Sequence, residues 1–225
     1  MNVKLNIKEP PFIVFCLPGN TFSGEFLDSW TDLLTYCSEK RISYVVSRQY
    51  SAVVYYSRNL CLGGDIRRGE NQKPFNGKFN YTHIMWIDSD MVFNRAHFQA
   101  LLDHDKDVIS AMYLMKDGRY FATVKDWDEE YFLENGTFQF LTEFHLRDHK
   151  GLMEVAYTGF GFILIKRHVH ESLKYPWFRP LWHKVGQCKD FSSEDTAICK
   201  LIKKAGYKIY VDPQIRVGHL KEVIL

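Results

Sequence analysis

Residues 84–93 constrain the fold of this chain more than any other stretch. Four apolar residues, 84–87, form a run of the length and β-branched content typical of a buried strand. The run ends in Asp88 and Asp90, which are separated only by Ser89. Acids at the carboxyl end of a strand lie at the edge where open α/β sheets bind ligands. Two close carboxylates repel each other, and a hard divalent cation that also contacts a substrate phosphate relieves this repulsion. A surface turn, in which Asp and Ser are common, explains the same residues.

The pattern of strands and helices predicts a mixed, mostly parallel α/β sheet flanked by helices. In the first half, apolar runs alternate with segments of helical spacing, as in a parallel sheet wound on both faces. The second half has turn signals at Asp117-Gly118 and Asn135-Gly136, which predict a smaller antiparallel extension. The predicted strands are 12–17, 42–47, 84–87, 108–113, 138–146, 156–166 and 207–211, and the predicted helices are 25–40, 95–102 and 193–205. We expect a single domain, 1–225, with a nucleotide-binding half at about 12–114 and an acceptor or catalytic half at about 115–225.

Composition narrows the class of protein. The formal charge of +2 is too small to predict nucleic-acid binding from bulk electrostatics. The five cysteines are odd in number and form no C-x-x-C pair, which is typical of reduced thiols in a cytoplasmic protein. No apolar run is long enough to predict a membrane span.

Several short motifs could carry chemistry, and each also has a structural explanation. Asp195, after Ser193 and Glu194, could accept a proton from a bound hydroxyl. The same residues form a good helix start, with a serine cap and acids in the first turn. His219 could bind Mn²⁺ or Mg²⁺ through its imidazole, or it could be an ordinary surface or core residue. Thr158-Gly159 could let the backbone approach a ligand, but close packing of a strand explains the glycine equally well.

The order of these motifs along the chain resembles that of GT-A type, nucleotide-sugar-dependent glycosyltransferases, in particular the short bacterial and phage members of the family-2-like group. The segment SSEDTAICKLIKKAGYKIYVDPQIRVGHL is similar to the C-terminal signature of that group, and IMWIDSDMVF is similar to its metal motif. The resemblance covers roughly residues 12–220 and is loosest at 115–150. It implies a GT-A, Rossmann-like fold.

The resemblance also implies roles for individual residues. Asp90 would bind the metal directly, Asp88 would contact it through water or contact the ribose, and His219 would be a further metal ligand. Asp195 would be the catalytic base, and Glu194 would orient the acceptor. The remaining matches fall where the family holds the nucleotide (Pro18, Gly19, Arg58, Asn59 and Ser89) or where sugar and acceptor meet (Thr158 and Gly159). The chain departs from the family pattern at one point. In the family, an acid at the end of the second strand often contacts the nucleobase, but residues 47–49, at the end of the second predicted strand here, contain no acid.

The function that follows is a metal-dependent glycosyltransferase. It would use Mn²⁺ or Mg²⁺ to move a sugar from a nucleoside diphosphate sugar, with UDP favoured over GDP, to an acceptor hydroxyl with inversion. A saccharide acceptor is expected, and near-neutral charge disfavours nucleic acid. Two alternatives stay open at this point: a nucleotidyltransferase on a similar sheet, and a non-catalytic module that binds nucleotide sugars or glycans.

Overall fold

A computed structural model of the chain describes residues 10–221. The strands are β1 (Phe12–Pro18), β2 (Ser43–Gln49), β3 (His83–Ile87), β4 (Met91–Val92), β5 (Val108–Met112), β6 (Thr123–Val124), β7 (Met153–Val155), β8 (Tyr157–Thr158), β9 (Phe162–Lys166), β10 (Trp182–Val185), β11 (Cys188–Phe191), β12 (Ile209–Arg216) and β13 (Gly218–His219). The α-helices are α1 (Gly24–Lys40), α2 (Val54–Cys61), α3 (Arg95–Asp103), α4 (Glu129–Asn135), α5 (Glu143–Leu146), α6 (Arg167–Ser172) and α7 (Glu194–Lys204). The ends of the predicted domain, 1–9 and 222–225, lie outside the described residues, and the division into two halves stays a prediction.

Seven strands form the central sheet, in the order β2-β1-β3-β9-β5-β12-β7. Strands β2, β1, β3, β5 and β12 run in one direction, and β9 and β7 run in the opposite direction. Three two-stranded antiparallel pairs accompany the sheet: β10-β11, β4-β13 and β6-β8. The predicted α/β class, with a mostly parallel sheet and a smaller antiparallel extension, is confirmed.

Each face of the central sheet carries its own hydrophobic core, because successive side chains of a strand point to opposite faces. Within β3, Ile84 and Trp86 belong to one core and Met85 and Ile87 to the other, and all four are fully buried. Helices α1 and α3 cover the second core, and α7 covers the first. The strand that carries the Asp-Ser-Asp motif is therefore held on both sides. Burial of each such side chain stabilises the fold by about 1.5–3 kcal/mol.

The segment 138–146 was predicted as a strand, and this prediction is wrong. Its residues contribute one isolated bridge, between Phe140 and Val124, and then the short helix α5 begins at Glu143. Thr142 and His145 form a capping box at that helix start, a local hydrogen-bonding pattern that competes with a strand. The predicted strand 156–166 is two strands, β8 and β9, with a break at 159–161.

None of the helices within residues 10–221 has both the length and the apolar character needed to cross a membrane.

Candidate active site

The two acids of the Asp-Ser-Asp motif leave the end of β3 in different directions and have different partners. The backbone N–H of Asp88 donates to the carbonyl of Gly161 at 2.9 Å, which fixes the chain beside β9. The carboxylate of Asp88 accepts a hydrogen bond from Nη2 of Arg58 at 3.0 Å. The carboxylate of Asp90 instead faces His219 and Lys221. The motif thus supplies an ion pair between Asp88 and the buried Arg58, and a second carboxylate, Asp90, at the edge of the sheet.

A short antiparallel ribbon brings His219 to Asp90, although the two residues lie far apart in sequence. Strands β4 and β13 pair so that His219 lies opposite Met91, and the N–H of Leu220 donates to the carbonyl of Asp90 at 2.8 Å. As a result, Nε2 of His219 lies 3.1 Å from Oδ2 of Asp90. Nζ of Lys221 donates to the same oxygen at 2.5 Å.

The hydrogen bond of Nδ1 fixes the orientation of the His219 imidazole. Nδ1 lies 2.8 Å from the carbonyl oxygen of Leu114, which can only accept, so Nδ1 carries a proton. The other ring nitrogen, Nε2, faces the carboxylate of Asp90 and is the one available to bind a metal. Donation of the other ring N–H to a backbone carbonyl is typical of histidines that bind metals. The ring is also packed edge-on against Tyr113, with centroids 5.0 Å apart.

The pKa of Asp90 reflects this cationic surrounding. Burial acts to raise the pKa of Asp90, but the hydrogen bonds and charges of His219 and Lys221 outweigh it and lower the pKa to about 2. Asp90 is therefore a carboxylate at neutral pH. Its negative charge is already balanced by a cationic neighbour, Lys221.

The side chains at this edge of the sheet include groups that suit a hard divalent cation. Asp90 and His219 offer an oxygen and an imidazole nitrogen, which suit Mn²⁺ or Mg²⁺, and the ammonium of Lys221 marks where a positive charge is stabilised. Within residues 10–221, no group of three or more His, Cys, Asp or Glu side chains is close enough to hold a metal alone. Asp88, the third predicted ligand, is paired with Arg58. A bound ion would therefore need further ligands from a bound molecule or from water.

The second pair of acids lies at the start of α7. The hydroxyl of Tyr157 donates to Oδ2 of Asp195 at 2.8 Å, and the N–H of Thr196 donates to Oδ1 at 2.8 Å. The hydroxyl of Ser193 also donates to Oδ1, and it caps the helix through a bond from the N–H of Thr196. The side chain of Asp195 is half-buried. It thus accepts several hydrogen bonds, all from neutral groups.

Arg58 connects the two acid pairs. Its side chain is only 4% exposed, and its guanidinium lies 3.0 Å from Asp88 and 3.5 Å from Oε1 of Glu194. Burial alone would lower the pKa of Arg58, but the two carboxylates raise it. Burial also raises the pKa of both acids, against the opposing effect of Arg58. The charges of Asp90 and Asp195 both act on Asp88, so all four acids belong to one electrostatic cluster.

Arg58 and Asn59, two of the residues predicted to hold a nucleotide, both have partners within the protein. Arg58 is buried between the acids rather than open to a ligand. The side-chain amide of Asn59 donates to the carbonyl of Phe178 at 2.6 Å and accepts from its N–H at 3.2 Å. Both ends of this amide thus bind the backbone, and its nitrogen also donates to the carbonyl of Tyr55 at 2.7 Å. Asn59 therefore positions the segment around Phe178. These hydrogen bonds explain why the polar side chain of Asn59 is buried.

Pro18 and Gly19 end β1 directly beside the Asp-Ser-Asp motif. A Cβ added to Gly19 would lie 2.8 Å from Cβ of Ser89, so only glycine lets the two loops meet. Next to this contact lies a cavity of about 390 Å³. We call it the α1 cavity, and it is lined by Thr21, Phe22, Ser23, Ser89, Asp90, Leu220 and Lys221. Its floor includes the start of α1, whose dipole favours a negatively charged ligand.

Gly159 is explained by packing. A Cβ at Gly159 would lie 2.0 Å from the hydroxyl of Tyr113, and the N–H of Gly161 donates to that hydroxyl at 3.2 Å. The break between β8 and β9 therefore accommodates a tyrosine. Thr158 is fully buried, and its hydroxyl has no hydrogen-bond partner within residues 10–221.

Sequence reasoning missed three residues of this site: Tyr113, Tyr157 and Lys221. Tyr113 supports both His219 and the glycine break, and Tyr157 holds Asp195. Lys221 contacts Asp90. Their positions in the sequence could have indicated two of them, because Tyr157 directly precedes Thr158 and Lys221 lies two residues after His219. For Tyr113 the sequence offered no signal beyond a strand end.

Comparisons with known proteins agree with this architecture. No protein-family model and no curated protein matches the chain. Among solved structures, the viral protein A197 from STIV covers 96% of this chain and 96% of its own, with a TM-score of 0.51 and 16% sequence identity. GalNAc-T7, solved with UDP, GalNAc and Mn²⁺, covers 95% of this chain but only 44% of its own, with a TM-score of 0.50 and 14% identity. At such identities the likeness concerns the fold, and the fold of this chain is of the GT-A type.

Proposed function

We propose that this chain is a metal-dependent glycosyltransferase that moves a sugar from a nucleoside diphosphate sugar to an acceptor hydroxyl. The observation that carries the proposal is the convergence of Asp90 and His219, 3.1 Å apart, on the edge that also presents Asp195. The fold is shared with GalNAc-T7, whose solved structure holds UDP and Mn²⁺. That structure also favours UDP as the nucleotide here.

The α1 cavity would hold the diphosphate. It lies between the start of α1, where the helix dipole favours an anion, and the carboxylate of Asp90. Ser89 and Lys221 contribute further polar groups to its wall. Lys221 is able to leave Asp90 and contact a phosphate oxygen, because an ammonium on a flexible stem binds phosphates well.

Asp90 and His219 would hold the divalent cation, Mn²⁺ or Mg²⁺. A cation bound there would offset the negative charge that develops on the nucleoside diphosphate as the sugar–phosphate bond breaks. The protein contributes the position of the two ligands. The β4-β13 ribbon fixes their separation, and the carbonyl of Leu114 fixes the orientation of the imidazole.

Asp195 would take the proton of the acceptor hydroxyl. Tyr157, Ser193 and the N–H of Thr196 hold its carboxylate in one orientation, which is what a general base requires. The acceptor oxygen would then attack the anomeric carbon from the side opposite the leaving diphosphate, which gives inversion of configuration. Glu194, paired with Arg58, would position the start of α7 and so act on the acceptor indirectly.

A thermal-shift panel tests the donor and the metal. UDP, GDP, CMP and dTDP are each added with and without Mn²⁺, and UDP with Mn²⁺ should raise the melting temperature most, because a ligand of the folded state stabilises it by mass action. Asp90→Asn should abolish the dependence on Mn²⁺. Asp28→Asn, a change of the same charge at an exposed position of α1, should retain it. Equal shifts for UDP with and without Mn²⁺ would contradict the metal assignment.

Reaction products separate this proposal from the alternatives. A glycosyltransferase releases a nucleoside diphosphate, whereas a nucleotidyltransferase releases pyrophosphate. Asp195→Asn should abolish turnover of the donor and leave the thermal shift with UDP and Mn²⁺ largely intact. A binding module would show that shift without any turnover in the unaltered chain.

We also propose a cytoplasmic location. All five cysteines are free thiols, and four of them are buried. Free thiols in this number are typical of proteins from reducing compartments. Fractionation of cells that express the natural protein would test this.

A further inference from the structure

A second cavity, of about 340 Å³, lies beside α7, whose residues Thr196, Lys200 and Lys203 form part of its wall. We call it the aromatic pocket, and its walls include Asp126, Trp127, Phe138, Tyr157, Lys200 and Lys203. The volume falls within the range of roughly 300–1,000 Å³ that is typical of small-molecule sites. None of the residues singled out from the sequence lines this pocket.

Aromatic rings form its flat surfaces. The rings of Phe138 and Tyr157 are stacked, with centroids 6.2 Å apart and planes 13° apart. Trp127 lies edge-on to Phe138 at 5.4 Å and is 38% exposed. A partly exposed indole beside stacked rings offers apolar faces of the size of a pyranose ring. The walls therefore suit a ligand with one apolar face and a polar edge.

Positive charge is the second property of the pocket. Nζ of Lys200 lies 5.3 Å from the ring centroid of Trp127, and within residues 10–221 it pairs with no carboxylate. Lys203 donates to the carbonyl of Val155 at 3.4 Å. Asp126 is the one acid among the lining residues, against two ammonium groups. The pocket therefore favours a ligand that carries negative charge.

The aromatic pocket is connected directly to Asp195. Tyr157 and Thr196 belong to the pocket wall, and each donates a hydrogen bond to a different oxygen of the Asp195 carboxylate, both at 2.8 Å. A ring seated on Tyr157 would thus hold a hydroxyl within reach of that carboxylate.

We propose that the aromatic pocket is the acceptor subsite and takes a pyranose ring that carries an anionic substituent, either a carboxylate or a phosphate. The ring would pack on Trp127 and Tyr157, and the anion would face Lys200. This rests on the proposed function for its reaction: the acceptor oxygen bonds to the anomeric carbon, its proton passes to Asp195, and the sugar–phosphate bond breaks to release the nucleoside diphosphate.

Calorimetric titration tests the subsite without any donor. The purified chain is titrated with glucuronate, glucose 6-phosphate and glucose. At least one of the two acidic sugars should bind about tenfold more tightly than glucose, because a charge-assisted hydrogen bond to Lys200 adds to the ring contacts. Comparison of the two acids distinguishes a carboxylate from a phosphate.

Matched variants assign the effect to the pocket. Lys200→Gln should reduce the preference for the acidic sugar to about twofold or less, and Lys204→Gln, an exposed lysine of the same helix outside the pocket, should leave it unchanged. Trp127→Leu should weaken binding of all three sugars, and Phe144→Leu, at a 75% exposed position, should not. Melting temperatures confirm that each variant is folded.

Two results would overturn the inference: equal affinity for glucose and both acids, or equal effects of the changes at Lys200 and Lys204. A chain that binds UDP with Mn²⁺ but none of the sugars refutes the subsite and leaves the proposed function standing. A chain that binds an acidic sugar through Lys200 but no nucleotide refutes the proposed function instead.

Discussion

Replacement of Arg58 by methionine should destabilise the protein strongly, because it leaves two largely buried carboxylates without their shared partner. Arg58 is 4% exposed, and it lies 3.0 Å from Asp88 and 3.5 Å from Glu194, which are 27% and 13% exposed. Removal of one member of a buried ion pair costs about 3–5 kcal/mol. For a chain of this length, that corresponds to a fall of about 6–20 °C in melting temperature.

The loss should depend on pH in a definite direction. Burial already raises the pKa of Asp88 and Glu194, and Arg58 opposes that rise, so the variant should raise both further. A carboxyl with a higher pKa in the folded than in the unfolded state favours folding at low pH and opposes it as the pH rises above the unfolded value of about 4. Arg58→Met should therefore lose more stability at pH 7 than at pH 5.

Urea unfolding at the two pH values measures both effects. Arg67→Met is the control, because Arg67 also pairs with an aspartate, Asp65, but is 86% exposed, and its loss should barely change stability. The reasoning would be refuted if Arg58→Met cost less than about 1 kcal/mol, or if its cost were the same at pH 5 and pH 7.

Two further changes test other parts of the site. Gly159→Ala should lower the free energy of unfolding by about 1–3 kcal/mol, since the new Cβ would lie 2.0 Å from the Tyr113 hydroxyl. Urea unfolding measures this loss, and the same change made in a Tyr113→Phe background should cause a smaller one. Equal losses in the two backgrounds would show that the clash is relieved elsewhere. Lys221→Gln should tighten Mn²⁺ binding roughly two- to tenfold, because the ammonium 2.5 Å from Asp90 no longer competes with the cation. Electron paramagnetic resonance of free Mn²⁺ measures this affinity, and the exposed Lys150→Gln should not change it.

The sequence predicted those features that depend on local pattern. The apolar run before Asp88 is a buried strand, the serine and acids before residue 196 do start a helix, and the sheet class is correct. Periodicity and capping suffice for these, because they act within a few residues. The strand predicted at 138–146 failed for the same reason: a capping box at Thr142 gives the segment a local alternative that hydrophobicity does not reveal.

Partners that are distant in the chain could not be predicted. Arg58 and Asn59 were adjacent candidates for nucleotide binding, yet Arg58 is buried against acids 30 and 136 positions away, and Asn59 binds the backbone of Phe178. Which of several acids an arginine meets depends on how the strands are ordered in space. The resemblance to a family placed His219 near Asp90, but only the β4-β13 ribbon explains the contact physically.

Four acids at one edge of a sheet would repel one another, and their different partners determine what each can do. Asp88 and Glu194 share the charge of Arg58, and Asp90 lies beside His219 and Lys221. Within residues 10–221, Asp195 alone of the four forms no ion pair, and its hydrogen bonds come from neutral donors. We therefore propose Asp90 as the carboxylate whose cationic neighbour a metal would replace. We propose Asp195 as the proton acceptor, because its hydrogen bonds come from neutral donors.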